Sequence, residues 1–142
     1  MNDATSSAKA IVRSYLDAFE TADPAAIAAH VREDFVNEHT AALGAGCVGR
    51  AVYEDRLAGF LASMPGLTYD IDALVADGDT VAVFYTMRGS YRGEQDFEVK
   101  GVQRLVVRDR LIASRTDYWD SAVFLAQVDA EAAAVLAGIG LA

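Results

Sequence analysis

Ala76-Asp77-Gly78-Asp79-Thr80-Val81-Ala82-Val83-Phe84-Tyr85-Thr86-Met87 is the stretch from which the fold can be read. An Asp-Gly step between runs of β-branched and aromatic residues is a strong hairpin signal, because glycine supplies the positive φ of a tight turn. It predicts one strand over residues 67–76, a turn at Asp77-Gly78-Asp79, and a second strand over residues 80–91. The second strand is apolar on both faces: Val81, Val83, Tyr85 and Met87 alternate with Ala82, Phe84 and Thr86. One face can close over a core and a pocket. The other needs a cover, since a large bare apolar patch is rare on a monomer. The expected cover is a second copy of the chain, packed through the outer face of the sheet.

Downstream, Arg92-Gly93-Glu94 turns the chain into a strand over residues 97–107, and Arg108-Asp109-Arg110 turns it into another over residues 111–119. The result is a four-stranded antiparallel meander. Residues 121–128 read as a short helix capped by Asp120, and residues 129–142 as an Ala-rich tail carrying Val135, Leu136, Ile139 and Leu141. Upstream, Ala8, Ile11, Val12, Tyr15, Leu16 and Phe19 recur at the three- and four-residue spacing of an amphipathic helix over residues 6–21. Asp23-Pro24 opens a second, short helix, with the carboxylate as cap and proline where no N–H is needed. Residues 35–40 form a strand that puts Phe35, Asn37 and His39 on one face. A Gly-rich loop, residues 44–49, leads to a third helix over residues 50–64, stopped by Pro65-Gly66. Helix, helix, strand, helix and then a meander is an α+β arrangement with the helices on one face. It makes one domain of residues 1–142, with 129–142 as its tail.

Charge narrows the partners. The 142 residues carry 21 acids against 12 bases, a net charge of -9, so the surface repels phosphate backbones and nucleic acid is not expected. No apolar run approaches the roughly 20 residues needed to span a bilayer. The small, polar N-terminus has no basic segment before an apolar one, which points to the cytoplasm. Cys47 is the only cysteine and reads as a small loop residue. Two histidines and one cysteine offer no metal-ligand spacing, so neither metal nor organic cofactor is expected.

Four segments carry a resemblance: Ala18-Phe19-Glu20-Thr21-Ala22-Asp23-Pro24, Asp34-Phe35-Val36-Asn37-Glu38, residues 76–83, and Arg115-Thr116-Asp117-Tyr118-Trp119-Asp120. Together they resemble the nuclear transport factor 2-like superfamily, and within it the SnoaL-like group of polyketide cyclases, limonene-epoxide hydrolase relatives and ketosteroid isomerase relatives. The resemblance spans roughly residues 8–125. It implies a cone: a strongly curved, mostly antiparallel sheet wrapped around N-terminal helices, with a pocket between them. It does not by itself imply a reaction, because such folds host many chemistries.

By the same resemblance, Asp117 is a pocket carboxylate and the first candidate for a general base. Walled by apolar side chains, its charged form would be disfavoured and its proton affinity raised. His39 falls near the proton-shuttling position of isomerase relatives and would assist it. Asn37 resembles the amide that orients a water or a substrate oxygen. Gln103, on the face of Val99 and Gly101, is a second such group, while Arg104 points outward. Tyr15 lies near the phenol that donates to an enolate oxygen in isomerase relatives, and Trp119 is a wall residue. Tyr53, Phe60, Met64, Phe84 and Tyr85 are further wall candidates, and His30 belongs to the surface.

Departures from the relatives narrow the chemistry. Residues 83–86 lack the arginine and aspartate, two apart, that epoxide hydrolase relatives carry on that strand. Residues 101–103 lack the acidic donor of the isomerases. Asn37, His39, Gln103 and Asp117 thus resemble a cyclase most. The expected function is a SnoaL-like, cofactor-independent acid/base enzyme acting on a small apolar carbonyl compound. A non-catalytic small-molecule-binding or dimeric accessory protein is the alternative, and an epoxide hydrolase-like enzyme a further one.

Overall fold

A computed structural model describes residues 3–140. Leu141, counted above with the tail, lies outside the described residues. Helix α1 (Asp3–Asp17) runs into a 3-10 turn (Ala18–Thr21), which ends where Ala22 takes a left-handed conformation. Helix α2 (Pro24–Ala28) follows, and the Asp23 carboxylate accepts the Ala25 N–H at 3.0 Å. Next come β1 (Val31–His39), β2 (Cys47–Val48), α3 (Arg50–Ser63), β3 (Thr68–Asp77), β4 (Thr80–Tyr91), β5 (Gln95–Arg108) and β6 (Leu111–Trp119). Two helices close the chain: α4 (Ser121–Val128), capped by Asp120, and α5 (Ala130–Ile139), capped by Asp129.

The strands form one open sheet in the order β2-β1-β6-β5-β4-β3. Neighbours are antiparallel except β1 and β6, which run parallel. The ladder slips between Ile71 and Ala73, and again between Val106 and Val107. Such irregularities increase local twist and bend a sheet around what it covers. Its inner face, with Val81, Val83, Leu105 and Ile112, packs against Val12, Leu16 and Phe19 of the first helical segment, all of them fully or almost fully buried. At the far end, Phe124 of α4 meets Tyr91, Phe97 and Trp119 edge to face.

Three elements differ from the sequence reading. The first strand starts at Val31 rather than residue 35. Cys47 and Val48, inside the stretch read as loop, pair with Asn37 and Val36. The Ala-rich tail is helical through Ile139, and none of its side chains is buried; Val135 and Ile139 stay open to solvent. Alanine's high helix propensity explains the helix.

On the outer face, Phe84, Val102 and Tyr118 lie opposite one another on β4, β5 and β6, and Phe84 and Tyr118 are both exposed. The next row carries Arg104, Thr116 and Glu38 on β5, β6 and β1.

Candidate functional site

Strand parity assembles the site. On β6, residues 115, 117 and 119 point inward, and the parallel register sets Asn37 opposite Arg115 and His39 opposite Asp117. On the other side β5 sets Gln103 opposite Asp117 and Gly101 opposite Trp119.

Arg115 and Asp117 form a buried ion pair. Arg115 Nη2 lies 2.8 Å from Asp117 Oδ1, and Nε lies 3.1 and 3.0 Å from the two carboxylate oxygens. Asn37 Nδ2 reaches Asp117 Oδ2 at 3.2 Å. The guanidinium also donates from Nη1 to the Tyr15 hydroxyl at 2.8 Å and from Nη2 to the Tyr69 hydroxyl at 3.4 Å. The Tyr15 hydroxyl in turn shares a short hydrogen bond with that of Tyr53. The rings of Phe19, Tyr69 and Tyr15 surround the guanidinium carbon at 5.6, 5.8 and 5.9 Å. Burial holds the Tyr15 and Tyr53 hydroxyls above the usual phenol range and pushes Tyr69 up to about 12, so all three remain protonated.

His39 stands at the edge of this network. Its Nε2 lies 3.8 Å from Asp117 Oδ2, while Nδ1 is buried against Gly44 without a hydrogen-bond partner among the described residues. Burial lowers its pKa below the ordinary imidazole value, and the Arg115 charge adds to this against the opposing pull of Asp117. The ring is therefore neutral at neutral pH.

Between α3 and the sheet is a cavity of about 290 Å³. Asn37, His39, Asp117 and Trp119 line it, with Phe60, Met64, Tyr85 and Met87 among its apolar walls. Tyr15 and Gln103 do not line it. Both are fully buried behind it, Tyr15 bound to Arg115 and Gln103 with neither amide atom hydrogen-bonded to any described residue. The carboxyl of Asp117 is not walled by apolar groups alone, as its sequence context suggested; a guanidinium and an amide hold it. Cys47 reaches the cavity edge with its thiol pKa raised by burial. His30 sits outside, bonded to Ser14 Oγ and the Ala26 carbonyl. Among the described residues, no group of three or more His, Cys, Asp or Glu is arranged to hold a metal ion.

Arg115 is the residue of this network that the sequence reading lacks. Its signal was the two-residue spacing to Asp117, which puts both on one face of a strand. An arginine and an aspartate two apart do occur here, on β6 and not on β4.

A sequence model of the SnoaL-like domain matches residues 12–115. The chain belongs to the SnoaL-like family. No curated protein matches it significantly in sequence. Among solved structures, it is similar to a candidate polyketide cyclase from Xanthomonas campestris, at 26% identity and a TM-score of 0.78 over 89% of this chain and 99% of that one. A hypothetical protein with a ketosteroid isomerase-like fold from Catenulispora acidiphila, bound to trimethylamine, shows 25% identity and a TM-score of 0.76 over 82% and 90%. An LEH-like epoxide hydrolase of M. tuberculosis shares the fold at 22% identity, with a TM-score of 0.76 over 93% and 97%. Such a SnoaL-like domain is the nuclear transport factor 2-like cone that the sequence implied. No described helix is long and apolar enough to cross a membrane.

Proposed function

We propose that this SnoaL-like protein is a cofactor-independent acid/base enzyme of the cyclase or isomerase type, acting on a small apolar carbonyl compound. The observation that carries the reading is the His39–Asp117 pair, 3.8 Å apart on the wall of an apolar cavity. A neutral imidazole can accept a proton, and the adjacent carboxylate stabilises the imidazolium that forms. The sequence assigns the base to Asp117 and assistance to His39. Three donor groups gathered on the carboxylate favour the reverse, with His39 Nε2 taking the proton and Asp117 supplying the charge.

The step balances simply. The proton α to the carbonyl moves to His39 Nε2, and the C–H electron pair enters an enolate whose charge rests on oxygen. Return of the proton to the same carbon gives exchange, and to another carbon gives isomerisation. Attack of the enolate on a second carbonyl of the same molecule gives ring closure, the alkoxide so formed taking back the proton held on His39 Nε2. Asn37, at the cavity wall beside Asp117, orients the carboxylate through its amide. Tyr15 acts on Arg115 rather than on the ligand, keeping the guanidinium in register. Incorporation of solvent deuterium into 2-tetralone by the wild type, compared with Asp117→Asn and His39→Gln, tests this. Loss in both variants supports the pair, whereas full activity in either removes that residue from the reaction.

The alternative, a non-catalytic pocket that binds a small molecule, is favoured by the same saturation of the carboxylate. It predicts tight ligand binding with no exchange in the wild type.

We further propose that a second copy covers the outer face of the sheet. The Phe84-Val102-Tyr118 row supplies apolar area. In the next row, Arg104 and Glu38 flank Thr116, so a two-fold axis near Thr116 would bring each charge onto its opposite.

A further inference from the structure

Four tyrosines surround the site, and three are tied to protein partners: Tyr15 to Tyr53 and Arg115, and Tyr69 to Arg115. Tyr85 is different. It lines the cavity from β4 with its ring almost wholly buried, while its hydroxyl oxygen stays accessible and makes no hydrogen bond among the described residues. A phenol whose ring is buried while its oxygen stays accessible still lacks a protein partner for its donor. A bound ligand oxygen would supply it.

The position of this hydroxyl is built in. β4 sets Tyr85 opposite Gly101 on β5. A Cβ at 101 would overlap the Tyr85 hydroxyl, lie 2.6 Å from its ring carbon Cζ, and crowd the Tyr118 carbonyl at 2.9 Å. Gly101 has no positive φ, so conformational freedom does not explain it. What it provides is room. On the other side the Tyr69 ring meets Tyr85 edge to face, with centroids 5.2 Å apart, and fixes its orientation. Burial, with the nearby Tyr69 and Asp117, raises the phenol pKa far above neutral, so it keeps its proton.

Cavity size limits what can meet it. A dry cavity of roughly 150 Å³ accommodates one benzene. A space of about 290 Å³ therefore suits about two rings. We propose that Tyr85, seated on Gly101, is the donor that receives the carbonyl oxygen of the ligand, and that the ligand is a ketone of about two fused rings. This rests on the acid/base reading above, in which the enolate oxygen needs a donor that no protein group already occupies.

The test uses 2-tetralone as the probe, with the carbonyl stretch of the bound ketone measured by infrared difference spectroscopy. In the wild type the stretch falls below its value in water-free apolar solvent. In Tyr85→Phe, which leaves the ring packing in place, it returns toward that value, 2-tetralone binds about 10-fold more weakly, and deuterium exchange slows by roughly 10- to 100-fold. Gly101→Ala, which keeps the phenol but displaces its oxygen, gives the same spectral change; a circular dichroism spectrum equal to the wild type's shows that it has folded. An unchanged stretch in Tyr85→Phe overturns the role of Tyr85, while loss of exchange in Asp117→Asn in the same series leaves the acid/base reading standing. Failure of the wild type to bind 2-tetralone overturns the two-ring ketone assignment.

Discussion

His39 Nε2 faces Asp117 Oδ2 at 3.8 Å because β1 and β6 run parallel with residue 39 in register with residue 117. The gap is too long for a direct hydrogen bond and short enough for strong electrostatic coupling. A proton arriving on the imidazole therefore meets a carboxylate already held in place from behind by Arg115 and Asn37.

Titration of His39 should occur below the ordinary imidazole value of about 6.5, because burial, seconded by Arg115, outweighs the attraction of Asp117. Its folded-state pKa is depressed, so the unfolded chain binds more protons in the window between that pKa and about 6.5. The contribution to stability is present above about 6.5 and is lost as pH falls through the folded value. Exchange activity should rise with pH through the folded-state value and reach a plateau as the ring deprotonates. An NMR titration of the His39 ring checks this, and a midpoint above 6.5 would contradict it.

Arg115→Met should destabilise the fold by about 3–5 kcal/mol, since it leaves the Asp117 carboxylate buried without its counter-charge and strips partners from Tyr15 and Tyr69. Urea denaturation at neutral pH measures this. A loss under about 1 kcal/mol would mean that water reaches the carboxylate and that the pair is not buried as described.

How much of this could be read in advance depends on the range of the signal. Period-two alternation placed Phe35, Asn37 and His39 on one face of β1, and the Asp77-Gly78 turn fixed the meander, because both are local patterns. The Tyr15–Arg115 contact joins residues 100 apart, and nothing within either segment announces it. Tyr15 and Gln103 were legible as inward-facing. Whether they stop at the cavity or behind it depends on how far the helices sit from the sheet, which no alternation encodes. Arg115 was overlooked because arginine on a strand is ordinarily a solvent-facing residue, and only its spacing from Asp117 said otherwise.

Gln103 buries an amide with no hydrogen-bond partner for either atom among the described residues. Replacing such a group with an apolar one of similar shape is close to neutral or stabilising. Gln103→Met should therefore change stability by no more than about 1 kcal/mol, or raise it. A thermal melt that shows a loss above about 2 kcal/mol would mean that the amide has partners in solution.

Sedimentation equilibrium at micromolar concentration should give twice the chain mass. Tyr118→Glu, which puts a carboxylate at the β6 end of the apolar row it forms with Val102 and Phe84, should shift the protein to a monomer without lowering its helix content. A wild-type monomer would remove the second copy from the outer face.

The central claim is that the cavity removes a proton α to a carbonyl. The rate at which catalytic amounts of the wild-type protein place deuterium on 2-tetralone, measured by NMR in deuterated buffer near pH 7.5, tests it most directly. The account predicts a rate at least on the order of 100-fold above buffer alone, saturating as the ketone fills the site. A rate equal to that of buffer, with the ketone demonstrably bound, would contradict it.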